Sequence, residues 1–243
     1  MEYNYYNLFL LFFIYSIIGY IVESTSVSLT EKKIVLNRGF LIGPYIPIFG
    51  YGSIAMILAL QKYKNDIIAL FIMSMIVCLT IEYLCSLIAE KIFHLRWWDY
   101  SNKKFNINGR ICLQNGVLFG LAGVLVVRYI NPWLESLILL LPNNVLMTIS
   151  IILSIIFYTD TIISGGTVIK FNKSFKRYGE DNTGEVKNKI VEELHNNFLT
   201  KRLINAFPHA KDKSHKFRDI RRELINKAKE ARQKKKEQRQ KQL

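Results

Sequence analysis

The sequence predicts an all-α fold: a polytopic transmembrane helical bundle of about five spans, followed by a basic helical cytosolic tail. Three observations lead there. Half of the 243 residues are hydrophobic and 13% are aromatic, ordinary values for a globular protein, yet nearly all of this apolar content lies before Lys170. It is gathered into runs of about 20 residues, the length at which a helix crosses a hydrocarbon core of roughly 30 Å. Charge then divides the chain, with 11 Lys/Arg against 9 Asp/Glu in residues 1–169 and 22 against 10 in residues 170–243. Residues 1–169 therefore read as a transmembrane helical domain, and residues 170–243 as a basic cytosolic tail, partly helical and partly disordered.

Five windows qualify as spans, roughly Asn7–Leu29, Phe40–Leu60, Ile67–Ile92, Ile111–Ile130 and Val145–Ile163. Backbone polar groups in hydrocarbon must be satisfied within the segment, which selects helices, and the alternation of a barrel strand is absent. The first window is expected to be retained as a span, because no basic segment precedes it and no small-residue cleavage site follows it. Trp133–Leu141 is apolar but short and bounded by Pro132 and Pro142, so it is expected as an interfacial helix on the outer face. There is no internal repeat, which argues against an inverted-repeat transporter within one chain.

Orientation follows from the basic residues. Lys32, Lys33 and Arg38 separate the first two windows, and Lys91, Arg96, Lys103, Lys104 and Arg110 surround the junction of the third and fourth. The opposite side holds Lys62, Lys64 and the boundary residue Arg128. Span-flanking Lys and Arg stay in the cytosol, so five spans place the N-terminus outside and the C-terminus inside. In the tail, Tyr178–Gly184 reads as a linker and Glu185–Leu203 as a helix with Ile190, Leu194 and Phe198 at helical spacing. A second helical stretch from about Phe217 frays into a disordered end.

Ionisable side chains at membrane depth are costly and default to functional candidates. Three occur within the windows: Glu23, Glu82 and Asp160. Each lies 15 or 16 positions after the start of a descending window, which at the helical rise puts all three roughly 22–24 Å down, at a common level. Arg38 and Arg110 open the ascending windows from the same side. Arg38 stands in Asn37–Gly52, a segment with four glycines and two prolines that favours broken helix, tolerated where it is buried in protein or lines a cavity. The expectation is a cytosol-facing polar cluster, a substrate pathway, made of Glu23, Arg38, Glu82, Arg110 and Asp160. The competing reading is that these charges pair to fasten the bundle. Cys78, Glu82, Cys85 and Ala89 share one helix face, which suits close packing as well as a pathway.

Trp97, Trp98, Asp99 and Tyr100 follow the third window. Trp and Tyr concentrate at the headgroup level, so the aromatic residues of this interfacial loop are expected to anchor it, with Asp99 bonding nearby arginines or capping a turn. No enzyme is expected. Ser86, Ser101 and His94 assemble no nucleophile–base pair, and Glu90 with His94 lacks a third metal ligand and reads as a surface pair. No catalytic residue, metal site or cofactor is therefore predicted, and Cys78, Cys85 and Cys112 read as small apolar fillers.

Several of these segments carry a resemblance. Asn37-Arg-Gly-Phe-Leu-Ile-Gly-Pro44 with Pro47-Ile-Phe-Gly50, then Trp97-Trp-Asp-Tyr-Ser101, then Phe105-Asn-Ile-Asn-Gly-Arg-Ile-Cys-Leu113, in that order, resemble the ABC-transporter type IV permease family of Gram-positive bacteria. The resemblance covers roughly residues 7–165, and Glu23, Glu82 and Glu90 stand where acidic positions of that pattern fall. It implies a multi-pass protein of the bacterial cell membrane, a permease subunit partnering a separate ATPase subunit. The chain has no Gly-x-x-x-x-Gly-Lys-[Ser/Thr] loop to cradle nucleotide phosphates, so hydrolysis would fall to that other protein.

For the tail, three readings compete. Anionic membrane lipids attract juxtamembrane Lys/Arg at about 1 kcal/mol each. Nucleic acid is the weakest candidate, since aromatics are scarce after Phe217 and no binding fold is visible. A solvated tail that enforces topology is the third. A homo-oligomer is a further expectation. Two functions stay open: a permease subunit of unknown substrate, or a non-transporting membrane scaffold or regulator whose tail binds anionic lipid or a cytosolic partner.

Overall fold

The computed structural model describes residues 3–32, 34–35, 39–93, 96–180 and 198–206. Arg38, His94, most of the expected tail helix at Glu185–Leu203 and all of that from Phe217 lie outside these residues, as does the linker beyond Glu180.

Helix α1 spans Tyr5–Glu31, closed at its start by a reciprocal pair in which Asn4 accepts from the Asn7 backbone N–H and Asn7 returns the bond, and at its end by Lys32 in the left-handed conformation. Helix α2 is Pro47–Leu60, with Pro47 in the first turn, where its missing N–H costs nothing. A 3₁₀ turn, Gln61–Tyr63, leads towards α3, Ile67–Phe93. Asp66 caps α3 by accepting from the backbone of Ile68 and Ala69 at 3.1 and 3.0 Å. A short antiparallel hairpin follows, β1 Asn106–Ile107 and β2 Ile111–Cys112, a small exception to an all-α fold. Then come α4, Leu113–Leu125, a π-helical segment, Val126–Ile130, α5, Asn131–Ile138, α6, Asn143–Glu180, and α7, Phe198–Ala206.

Four helical stretches are long and apolar enough to cross a membrane: Tyr5–Thr30, Ile67–Ile92, Leu113–Ile138 and Asn143–Lys170. The chain is a multi-pass membrane protein. The window expected at Phe40–Leu60 takes another form. Residues 39–46 are irregular and only the 14 residues of α2 are helical, about 21 Å at the helical rise. The irregular stretch is held by protein rather than left to lipid. Ile46 N–H donates to the Ser16 carbonyl of α1 at 2.9 Å, and Ile42 and Gly43 N–H donate to the Asp160 carboxylate of α6 at 2.9 and 2.8 Å.

The interfacial helix expected at Trp133–Leu141 does not form as a separate element. Leu113–Ile138 is one continuous span, and α5 buries Asn131, Leu134 and Ile138. Pro132 predicts a boundary because proline lacks an N–H and its ring crowds the carbonyl four residues back. The chain accommodates it by widening the preceding turn, with Asn131 N–H donating to the Val126 carbonyl five residues back.

Directions of the helices follow from their contacts. Gly116 packs against Met75 and Leu79, and Gly120 against Phe71, so α3 and α4 run antiparallel. Gly19 meets Phe49 and Gln61 reaches Tyr3, so α2 runs back along α1. Ser150 donates to the Tyr6 carbonyl, and Phe157 packs on Phe9 and Phe12, so α6 runs parallel to α1. One end of the bundle thus carries Tyr3, the 61–66 turn and the 139–142 turn. The other carries the hairpin and the irregular 39–46 stretch. The core between holds Leu11, Tyr15, Ile57, Leu60, Leu70 and Val127, and an aromatic group of Phe9, Phe12, Phe13, Tyr45 and Phe157 joins α1, α6 and the irregular stretch.

Candidate functional site

The polar side chains inside the bundle form separate networks, each made by a different local device. The first surrounds Asp160, which is buried on α6. Its oxygens accept from Ile42 N–H, Gly43 N–H, the Tyr45 hydroxyl at 2.6 Å and the Ser164 hydroxyl at 2.8 Å. Four donors converge because the glycine-rich stretch before α2 turns its amides inward, and Ser164 lies one helical turn after Asp160. Arg202 of α7, itself buried, donates to the Phe40 carbonyl at 3.4 Å. Burial lowers the pKa of its guanidinium, and the opposing effect comes first from Asp160.

The second network joins α3 to the loop and hairpin that follow it. Glu90 accepts from Arg110 at 2.6 Å and from Arg96 at 3.2 Å. Arg110 also donates to Ser86 at 3.0 Å, and its guanidinium lies over the Tyr83 ring. The interfacial loop is ordered against this ion pair. Trp98 donates to the Arg110 carbonyl at 2.9 Å, and Trp97 stacks on Phe40 at 5.2 Å between centroids, linking the loop to the irregular stretch. Asp99 lies 4.0 Å from Arg96 and accepts from the Ser101 backbone and hydroxyl at 3.0 and 2.5 Å, so it both pairs and caps. The hairpin turns at Asn108 and Gly109, whose φ values of 52° and 66° are the positive pair a mirror-image turn demands.

Glu82 sits at the inner edge of this network, only 6% exposed. One of its oxygens accepts from the Tyr100 hydroxyl at 3.2 Å and from the Asn115 amide at 3.4 Å; the other has no hydrogen-bond partner among the described residues. Burial pushes the Tyr100 hydroxyl above its usual range, and the Glu82 charge adds to this, with a smaller contribution from Glu23. Glu23 on α1 is half-buried and makes no hydrogen bond or ion pair with a described residue.

A third network lies at the Tyr3 end. Glu135 of α5 accepts from the Tyr3 hydroxyl and, at 2.6 Å, from Asn131, which in turn accepts from Tyr15 at 3.4 Å.

Of the residues singled out from the sequence, Arg110 thus faces Glu90 and Ser86, Asp160 faces the 39–46 stretch, Glu82 and Glu23 lie within electrostatic reach of Tyr100, and Arg38 lies outside the described residues. The surface pairing of Glu90 with His94 lies outside the described residues; among those, Glu90 pairs with Arg96 and Arg110. Residues the sequence reading did not single out are Tyr45, Arg202, Asn115 and Glu135. A Tyr or Asn at span depth is a signal of sorts, but nothing in the linear order ties Tyr45 to Asp160, 115 residues away. Among the described residues, no group of three His, Cys, Asp or Glu side chains stands where it could hold a metal ion.

Comparison with known proteins adds a family. No curated protein and no solved structure matches the chain. The sequence model of the family described as "Putative ABC-transporter type IV" matches residues 10–165, from the first span through the Asp160 network. That match takes in well over half of the chain, which therefore belongs to the ABC-transporter type IV family.

Proposed function

We propose that this chain is the membrane permease subunit of an ABC-type transport system in the bacterial cell membrane, and that it catalyses no reaction itself. Five crossings complete the reading: α2 with the irregular stretch before it serves as the second, the N-terminus faces outside, and the hairpin and tail face the cytosol. The family supports the transport class. The observation that carries the rest is the loop at residues 96–112. It is an ordered polar element at the end of the bundle, and it is tied into the spans by Glu90–Arg96–Arg110 and by Tyr100–Glu82. An ATPase subunit pressing on that loop would move groups that reach a carboxylate inside the bundle.

The partner ATPase is supplied in trans, since the chain lacks a phosphate-cradling loop. The 22 Lys/Arg against 10 Asp/Glu in residues 170–243 support an attraction of the basic tail to anionic lipid. Affinity purification of the tagged protein from native membranes is the test. An ATPase recovered in constant ratio, and lost on Arg110→Ala, is the expected result; reproducible recovery of other partners without any ATPase overturns it.

One observation favours a second reading, a membrane scaffold or regulator. The Asp160 carboxylate has four donors and Glu90 two guanidiniums, so these charges are satisfied within the fold. Recovery of non-ATPase partners through the tail would favour it.

A further inference from the structure

We propose that Glu82 is the binding site of a single monovalent cation, loaded from the hairpin end of the bundle. The inference deepens the transport reading, on which it rests for its purpose though not for its test.

The argument begins with cost. A carboxylate held away from water without a countercharge is expensive, and membrane proteins meet the expense with a paired cation or a bound one. Among the described residues, no Lys, Arg or His forms an ion pair with Glu82. The described guanidiniums of the neighbouring loop and hairpin are committed elsewhere, Arg110 to Glu90 and Ser86, and Arg96 to Glu90 and Asp99. From the described residues, Glu82 has two neutral donors on one oxygen and none on the other. Asp160 offers the contrast, since both of its oxygens have two donors each and the Arg202 guanidinium lies within its electrostatic reach.

The surroundings set the charge and the class of the ligand. Asn115 faces Glu82 from α4, Tyr100 from the loop, and Glu23 acts on it from α1. Cys78 and Cys85 on α3 lie within electrostatic reach of Glu82, and Tyr51 of α2 within reach of Cys85. The oxygens at hand are those of the Glu82 carboxylate and the Tyr100 phenol, while Asn115 turns its amide NH₂ towards the acid. That set suits a hard, singly charged ion, and the absence of any His/Cys/Asp/Glu triad among the described residues disfavours a transition metal.

Glu82 stands on a row of polar side chains along α3. Ser74, Cys78, Glu82, Ser86 and Glu90 recur at four-residue intervals along α3, and Ser74, Cys78, Glu82 and Ser86 are buried. The lower end of this seam is the Arg110–Glu90 pair at the hairpin, and Ser86 is the hydroxyl between that pair and Glu82.

The cation has two sources, a proton or an alkali-metal ion, and one experiment separates them. Native membranes holding the full chain are treated with dicyclohexylcarbodiimide, which adds a protonated carboxylic acid across its C=N bond, and modified peptides are mapped. Labelling at Glu82 is expected in wild type and in Glu90→Gln, and is expected to vanish in Glu82→Gln, a neutral isostere that keeps its shape. Labelling that falls about ten-fold per pH unit above the titration point, whatever the sodium concentration, identifies the proton. Labelling suppressed by sodium or lithium at fixed pH identifies an alkali-metal ion. An unlabelled Glu82 in correctly folded protein at every pH overturns the proposal, as does labelling unchanged in Glu82→Gln. The assay needs neither an ATPase nor a transported solute, so this inference and the transport reading can fail independently.

Discussion

Asp160 and Tyr100 show how single side chains are fitted to their places. Asp160 is the acceptor for backbone donors that a broken helix would otherwise leave bare at membrane depth. Replacing it by Asn puts an amide NH₂ among donors, and at least two bonds are lost. The expected cost is about 2–4 kcal/mol, read as a lowered thermal midpoint of the detergent-solubilised protein, with Tyr45→Phe costing about 1 kcal/mol. Tyr100 titrates in the opposite sense. Burial raises its folded-state value above the ordinary 10.0, so the unfolded chain gives up this proton first and binds fewer protons. Stability from Tyr100 is therefore present below pH 10 and falls as pH rises beyond it. Thermal midpoints measured across the alkaline range should decline less steeply in Tyr100→Phe than in wild type. The carboxylates were legible in the sequence as rare charges in apolar runs, but their partners were not, because Tyr45 and Asn115 approach them only through folding.

The elements themselves divide along the same line. The turn at Asn108-Gly109 was legible as a polar, turn-rich stretch, and its geometry explains the residues chosen. Gly109 combines a φ of 66° with neighbours so close that an added Cβ would lie 2.5 Å from the Ser101 hydroxyl and 2.6 Å from Asp99. Gly109→Ala is expected to cost about 1–3 kcal/mol from backbone strain alone and to separate Arg96 from Asp99. Limited proteolysis should then cut within residues 96–112 faster than in wild type, while the four long helices stay protected. The broken helix before α2 was likewise foreseen from its glycines and prolines. The joining of α4 and α5 was not. Proline signals a helix end in most contexts, and only the packing of Asn131, Leu134 and Ile138 into the core makes the widened turn at Val126–Ile130 the better solution.

At the scale of the whole molecule, the alternation of helix directions makes the two ends of the bundle chemically unlike. With the orientation proposed above, cysteines introduced singly at Asn65 and Leu140, in a chain whose three native cysteines are replaced, should react with an impermeant maleimide on intact cells. A cysteine at Lys103 should react only after permeabilisation. Reaction at Lys103 on intact cells would reverse the orientation and remove the hairpin from the ATPase side. The membrane class and the costly charges could be read from the sequence, since length, hydropathy and charge bias are properties of local chain against lipid and water; of the five apolar runs, four form helices long enough to cross, and the second becomes an irregular stretch and the 14 residues of α2. Tertiary structure alone decided which donor meets which acid, how a proline stays inside a span, and why Glu82 keeps an oxygen unpartnered while Asp160 does not, because each depends on residues brought together from distant positions.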